Sequence, residues 1–234
     1  MLELVGLTAG YEDVPVVDGI DMRVDEGEIV ALVGANGVGK STTVKALCGI
    51  IPVMGGQIRF RGNRIDNVPS HRIVERGIIQ VPERRELFPT MTVHENLLLG
   101  AQREAAKSQR EENLDWVFEL FPRLEERSDQ RAHTMSGGEQ QMLTLARALM
   151  GAPELIVFDE PSVGLAPQIL SDMFETIVEI HQAGLTVLII EQNVQEALEH
   201  ADRGYVMEHG GITMEGPGEE LLANQQIKEA YLGL

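Results

Sequence analysis

Residues 28–41 read EIVALVGANGVGKS, an apolar run closing on Gly34-Ala-Asn-Gly-Val-Gly-Lys-Ser41. The last eight residues follow the pattern G-x-x-x-x-G-K-[ST]. Their flanks supply the context that pattern requires: strand-like sequence before them, and after them a helix predicted over residues 40–49 with Val44 and Leu47 inward. Glycines let the backbone curl so that successive N–H groups converge on phosphate oxygens. The helix that follows points its positive end at the same place. Gly34, Ala35, Asn36, Gly37, Val38, Gly39, Lys40, Ser41 and Thr42 therefore read as a loop for a nucleoside triphosphate. Lys40 would reach the β- and γ-phosphates, and Ser41 would ligate Mg²⁺.

Outward from this loop, strands alternate with helices. Residues 2–7 and 16–24 alternate apolar and polar positions, as half-buried strands do. Gly55-Gly56 predicts a turn before a strand at 57–60. Ser70 is placed to cap a short helix ending at Gly77, ahead of a strand at 78–81 that Pro82 stops. From about residue 93 to 129 the sequence is charged and helix-like, with Leu114, Val117, Phe118 and Phe121 at helical spacing. Residues 89–135 read as a helical insertion. Further helices are predicted at 137–150, 168–182 and 194–200, buried strands at 155–158 and 186–190, and a hairpin turning at Gly210-Gly211. Several strands are wholly apolar, which indicates a mostly parallel sheet covered on both faces.

The second half of a nucleotide site has its own signals. Leu155-Ile-Val-Phe-Asp-Glu160 is an apolar strand ending in two acids. In an open α/β fold such a strand delivers its last residues to the edge where ligands bind. Asp159 can hold Mg²⁺ through water, and Glu160 can orient and deprotonate the attacking water. Alone, the two acids would read equally well as a strand ending in solvated charge; the phosphate loop tips the reading. Ser136-Gly-Gly-Glu139 opens a helix. One reading is a capping box, Ser136 with Glu139 three residues on. The other is a second phosphate cradle built from Ser136 and the N–H groups of Gly137 and Gly138, serving a nucleotide held by another subunit.

Phosphate loop, helical insertion, MSGGEQQ and LIVFDEP, in that order, resemble the ATP-binding-cassette (ABC) family. The resemblance implies a P-loop NTPase (RecA-like) α/β fold, with an N-terminal antiparallel β subdomain and an inserted α-helical subdomain. It implies one cassette over residues 2–234, with its core at 1–88 and 136–234 and the helical part at 89–135. Two cassettes would sandwich two ATP molecules, and Ser136, Gly137, Gly138 and Glu139 of one would meet the nucleotide on the other's Lys40. Tyr11 stands where the family places an aromatic ring against adenine; an ordinary strand-end tyrosine is the alternative. The stretches at 81–101, 121–143, 159–167, 189–198 and 229–234 narrow the resemblance to the LivF-type subunit of branched-chain amino-acid importers. The partners implied are a second cassette, like or unlike, two transmembrane permease subunits and, indirectly, a periplasmic solute-binding protein. Related subunits serve urea and short amides, and soluble cassettes act in repair or translation.

Three positions depart from the wider cassette pattern. Glu83 stands where a glutamine is usual and could ligate Mg²⁺ through a carboxylate oxygen; Gln80, three residues earlier, reads as plain strand. Gln192 replaces the usual histidine, so it can hydrogen-bond the γ-phosphate or water but cannot carry a proton at neutral pH. Ala166 replaces an aspartate.

Composition narrows the classes further. Acids number 37 against 19 Lys and Arg, a net charge of −18 that opposes binding to nucleic acid or to an anionic membrane surface by the chain itself. One cysteine, Cys48, leaves no internal disulfide or multi-thiolate metal site and reads as a small buried apolar residue, with inhibition by a thiol reagent as the alternative, since it lies just past the loop. With no long apolar run and an acidic, strand-like start, the expectation is a cytoplasmic protein; the resemblance implies a peripheral place on the inner face of the cell membrane.

Overall fold

The structure, a computed structural model, describes residues 1–232. Among them the chain begins with strands β1 (Leu2–Tyr11), β2 (Val14–Val24) and β3 (Ile29–Val33), then helix α1 (Lys40–Leu47). Strands β4 (Val53–Phe60) and β5 (Asn63–Arg64), helix α2 (Ser70–Glu75) and strand β6 (Ile78–Val81) follow. The helical stretch holds α3 (Val93–Gly100), α4 (Glu104–Lys107), α5 (Arg110–Leu120) and α6 (Pro122–Glu126). Next come α7 (Gly137–Leu149), β7 (Leu155–Asp159), α8 (Pro167–Gln182), β8 (Thr186–Glu191) and α9 (Val194–Glu199). A hairpin of β9 (Arg203–Glu208) and β10 (Gly211–Pro217) precedes the short α10 (Gly218–Ala223) and α11 (Gln225–Ile227).

Two sheets organise these elements. The first is antiparallel, in the order β2-β1-β4-β5; the second runs β10-β9-β3-β8-β7-β6, parallel throughout except for β10. This is the α/β architecture expected, antiparallel sheet included. Strands β3, β7 and β8 are buried at every position, as sequences without polar alternation must be. Their two faces feed two cores. Val30, Leu32, Val157, Leu188 and Ile190 pack with Leu4, Leu7, Val44 and Leu47, between the sheets and around α1. Ala31, Val33, Phe158, Val187 and Ile189 pack with Leu143, Leu149, Phe174 and Ile177 on the helical side. Each such side chain contributes about 1.5–3 kcal/mol of burial, so the strands are fixed from both faces. Because they run parallel, β3, β6, β7 and β8 all end at one edge of the sheet.

Four local expectations change. Gly55-Gly56 is not a turn: β4 runs straight through it, and the β1–β4 register shifts between Val5 and Thr8. Gly56 sits at φ +75°, where a Cβ would lie 2.2 Å from the Gly6 carbonyl, so the glycine pair makes a bulge against β1. Ser70 is the first helical residue of α2, and Pro69 holds the cap position without a side-chain bond. The helical run at 93–129 divides into four pieces, with Phe121 (φ −128°, ψ 68°) leaving helical geometry just before Pro122 restarts it. The β9–β10 hairpin turns on His209 and Gly210, both at positive φ, and Gly211 already belongs to β10. Of the aromatic stripe in the helical stretch, Val117 and Phe121 are buried, with Leu114 and Phe118 packed against the same core. No described helix is long and apolar enough to cross a membrane.

Candidate functional site

The loop from Gly34 to Gly39 leaves the end of β3, buried at both ends and exposed at Ala35, Asn36 and Gly37. Gly39, at φ +116°, caps α1, and a Cβ there would press on Met207 and Val17. Lys40 follows, 3% exposed. Its Nζ donates to the carbonyls of Gly34 (2.8 Å) and Ala35 (3.0 Å) and lies 3.1 Å from Glu160 Oε1. Ser41 is half-buried and Thr42 buried in the first turn of α1.

Asp159 and Glu160 arrive beside this loop because β7 pairs with β8, and β8 with β3. Glu160 sits at φ +48°, a left-handed conformation uncommon for a residue with a Cβ. Its N–H donates to the Ile190 carbonyl at 2.8 Å, which holds the bend that turns the carboxylate toward Lys40. Asp159 is 7% exposed. Its Oδ2 accepts from Gln80 Nε2 at 3.1 Å, while its buried Oδ1 has no partner among the described residues. Burial, and then the charges of Glu160 and Glu83, push its carboxyl up to about 6.

Gln80, read from sequence as plain strand, is therefore part of the site: β6 lies beside β7, and its side chain clasps the carboxylate. The available signal was one polar residue inside the apolar IIQV. Glu191, at the end of β8, was missed altogether. It is fully buried, and its carboxylate accepts from Ser162, Gln192 and Asn193. Gln192 itself is exposed. Cys48 is buried, as its reading as a small apolar residue expects, and desolvation with the nearby Asp159 charge pushes its thiol up to about 12, which argues against the alternative of a reactive thiol.

Glu83, exposed, begins a loop that is bolted onto α7. Arg85 donates from Nη1 to Gln140 Oε1 at 3.2 Å, and its guanidinium lies over Gly137. Thr144 Oγ1 donates to the Arg85 carbonyl, and Arg147 Nη1 to that of Glu86. Farther along, the buried Asn96 bonds both backbone groups of Phe88.

At the start of α7 the capping box is present. Ser136 Oγ accepts from Glu139 N–H at 3.4 Å, and Glu139 Oε2 accepts from Ser136 N–H at 2.8 Å. Those bonds hold the Glu139 carboxyl below its ordinary range, helped by the charges of Arg127 and Arg123. The box leaves the N–H groups of Gly137 and Gly138 without an acceptor among the described residues. Capping and anion binding are thus compatible. No described hydrogen bond or ion pair joins Ser136–Glu139 to residues 34–42, so the structure gathers one set of predicted residues around Lys40 and leaves the other apart. Tyr11, 44% exposed, ends β1, and Lys45 of α1 donates to its hydroxyl at 3.2 Å, which lowers its pKa.

A family model described as "ABC transporter" matches residues 17–163. The chain is 46% identical over 233 residues to the high-affinity branched-chain amino acid transport ATP-binding protein BraG of Pseudomonas aeruginosa, covering all of both chains. It is 34% identical to the probable branched-chain amino acid transport ATP-binding protein LivF of Archaeoglobus fulgidus, over 100% of this chain and 99% of that one. Among solved structures, an ATP-binding cassette of an ABC transporter in its ADP conformation superposes with a TM-score of 0.87 at 29% identity, over 100% and 99% of the two chains.

Proposed function

The chain belongs to the ABC transporter family and is an ATPase, and on that premise we propose that it drives a branched-chain amino-acid importer as one of two cassettes beneath two permease subunits. The full-length likeness to BraG carries the choice of solute. We read residues 2–234 as one cassette, with a core at 1–88 and 136–234 and a helical part at 89–135. The subunit would sit on the inner face of the membrane, held there by the permeases, with a periplasmic solute-binding protein feeding them.

Lys40 and the loop N–H groups hold the β- and γ-phosphates, and Tyr11 lies against the adenine. The 3.1 Å contact between Lys40 Nζ and Glu160 Oε1 puts the carboxylate beside the place where the γ-phosphate ends. From there Glu160 takes the proton of the attacking water, and Gln192 hydrogen-bonds the γ-phosphate or that water. The residues present also fit Mg²⁺. Asp159 Oδ1 is buried and has no partner among the described residues, and the carboxyl is pushed up by burial and then by neighbouring negative charge, which a cation would offset. Ser41, Asp159 and Glu83 would hold the ion together with phosphate oxygens, since no three His, Cys, Asp or Glu side chains form a cage among the described residues. When bound, it neutralises charge on the transferring phosphoryl group. Ser136, Gly137, Gly138 and Glu139 complete the site of the other cassette. Closure pulls on the permeases through the helical part and the Glu83 loop, and hydrolysis releases the pair.

The test is uptake of labelled leucine, isoleucine and valine by cells lacking this chain, complemented with the parent or Lys40→Ala. Restoration by the parent alone is expected. Unchanged amino-acid uptake with restored uptake of urea or acetamide would replace the solute.

A further inference from the structure

Glu191 closes β8 at the same edge of the sheet as the phosphate loop, opposite Val33 of β3. Its Oε1 accepts from Ser162 N–H (2.8 Å), and its Oε2 from Ser162 Oγ (2.8 Å), Gln192 N–H (3.0 Å) and Asn193 N–H (3.3 Å). No described cation pairs with it. A fully buried carboxylate without a counter-ion is strongly unfavourable unless hydrogen bonds hold it, and here every bond goes to one of two loops. One loop leaves Glu160 two residues before Ser162; the other begins at Gln192. A second tie runs alongside, from Glu160 N–H to the Ile190 carbonyl, one residue before Glu191. If the carboxylate only closed a helix end it would not be needed, because Asn193 already caps α9 through the Glu196 N–H.

We infer that Glu191 is a positioning residue for ATP hydrolysis: its carboxylate fastens the Ser162 loop to the Gln192–Asn193 backbone, so that Glu160 and Gln192 keep one spacing. A shift of the exposed segment that follows the half-buried Ser162 is then passed directly to Gln192. The inference rests on the roles proposed for Glu160 and Gln192.

Glu191→Gln keeps the volume but turns an NH₂ group toward N–H donors, so it cannot hold both loops. For the purified full-length chain at high, fixed concentration, kcat is expected to fall about tenfold while KM and equilibrium ATP binding stay within about twofold. Ser162→Ala removes one donor with less risk to the fold and should lower kcat in the same sense. The double variant Glu191→Gln/Gln192→Ala should be no slower than Gln192→Ala alone, since both changes disable one unit. Parental kcat in the Glu191 and Ser162 variants, or losses that simply multiply in the double variant, would overturn the inference. Parental turnover in Glu160→Gln and Gln192→Ala defeats the assignment beneath it. Losses in those two with none at Glu191 defeat this inference alone.

Discussion

Lys40 uses its three ammonium hydrogens inside the chain, two on loop carbonyls and one toward Glu160. A γ-phosphate is a stronger, charged acceptor than either carbonyl, so the lysine can exchange partners without moving far. Lys40→Ala should therefore weaken ATP binding by about 10- to 100-fold, read by titration; unchanged affinity would remove Lys40 from the site. Glu160→Gln keeps the shape, loses the proton acceptor and frees Lys40. Turnover should drop by about 10²–10⁴ with ATP still bound and a closed pair retained on size-exclusion chromatography. Asp159 gives a prediction in pH. Its folded carboxyl titrates at about 6 against an ordinary 3.8, so between those values the folded chain holds more protons than the unfolded one. Stability from this group therefore falls as pH rises through that window and is lowest above it. With chelator present, Asp159→Asn should be more stable than the parent to denaturant at pH 8, by at most about 3 kcal/mol, and the gap should shrink by pH 5. An equal gap at both pH values would refute the raised carboxyl.

At the level of elements, the site is where four parallel strands stop, and what brings its residues together is register. The loop at 34–41, the pair Asp159-Glu160 and the cap at Ser136 were legible because each is local: spacing and neighbouring periodicity define them. Gln80 and Glu191 were not, since Asp159 and Ser162, the partners that bring them into the site, lie 79 and 29 residues away and are reached only through the β6–β7 and β7–β8 pairings. Gly55-Gly56 misled for the same reason. Two glycines signal a turn locally, and only the approach of Gly6 across the sheet shows a bulge. Asn96 tests how firmly the 83–88 loop is attached. It is fully buried, donating to the Phe88 and Thr92 carbonyls and accepting from the Phe88 N–H. Asn96→Leu preserves volume but leaves these groups unpaired. A loss of about 2–4 kcal/mol in denaturant unfolding is expected, with faster hydrogen exchange at Phe88. Parental stability would mean that the ties to α7 through Arg85, Thr144 and Arg147 secure the loop without Asn96.

The whole molecule carries two chemically complementary surfaces that it does not join. Lys40, Glu160, Asp159 and Gln80 converge at the edge of the parallel sheet, while the free N–H groups of Gly137 and Gly138 open α7 elsewhere, with no described bond between the two. On the function proposed above, a second cassette would present its α7 end to the γ-phosphate of a nucleotide held on the first surface. Two like chains related by a twofold axis would complete two sites at once. The net charge of −18 works against that pairing, since like-charged copies repel and salt only partly screens them. Self-association should therefore be weak, and the isolated chain should be mostly unpaired at low concentration. In that regime the paired fraction rises in proportion to total protein, so tenfold dilution should cut the specific ATPase activity by about tenfold, with saturation only at high concentration. Measuring phosphate release per chain over a hundredfold dilution series tests this. A flat series would show that one chain hydrolyses ATP without its neighbour, and Ser136→Ala should then leave the rate untouched; a steep series predicts that mixing Ser136→Ala with Lys40→Ala chains restores activity through the one intact site each mixed pair contains.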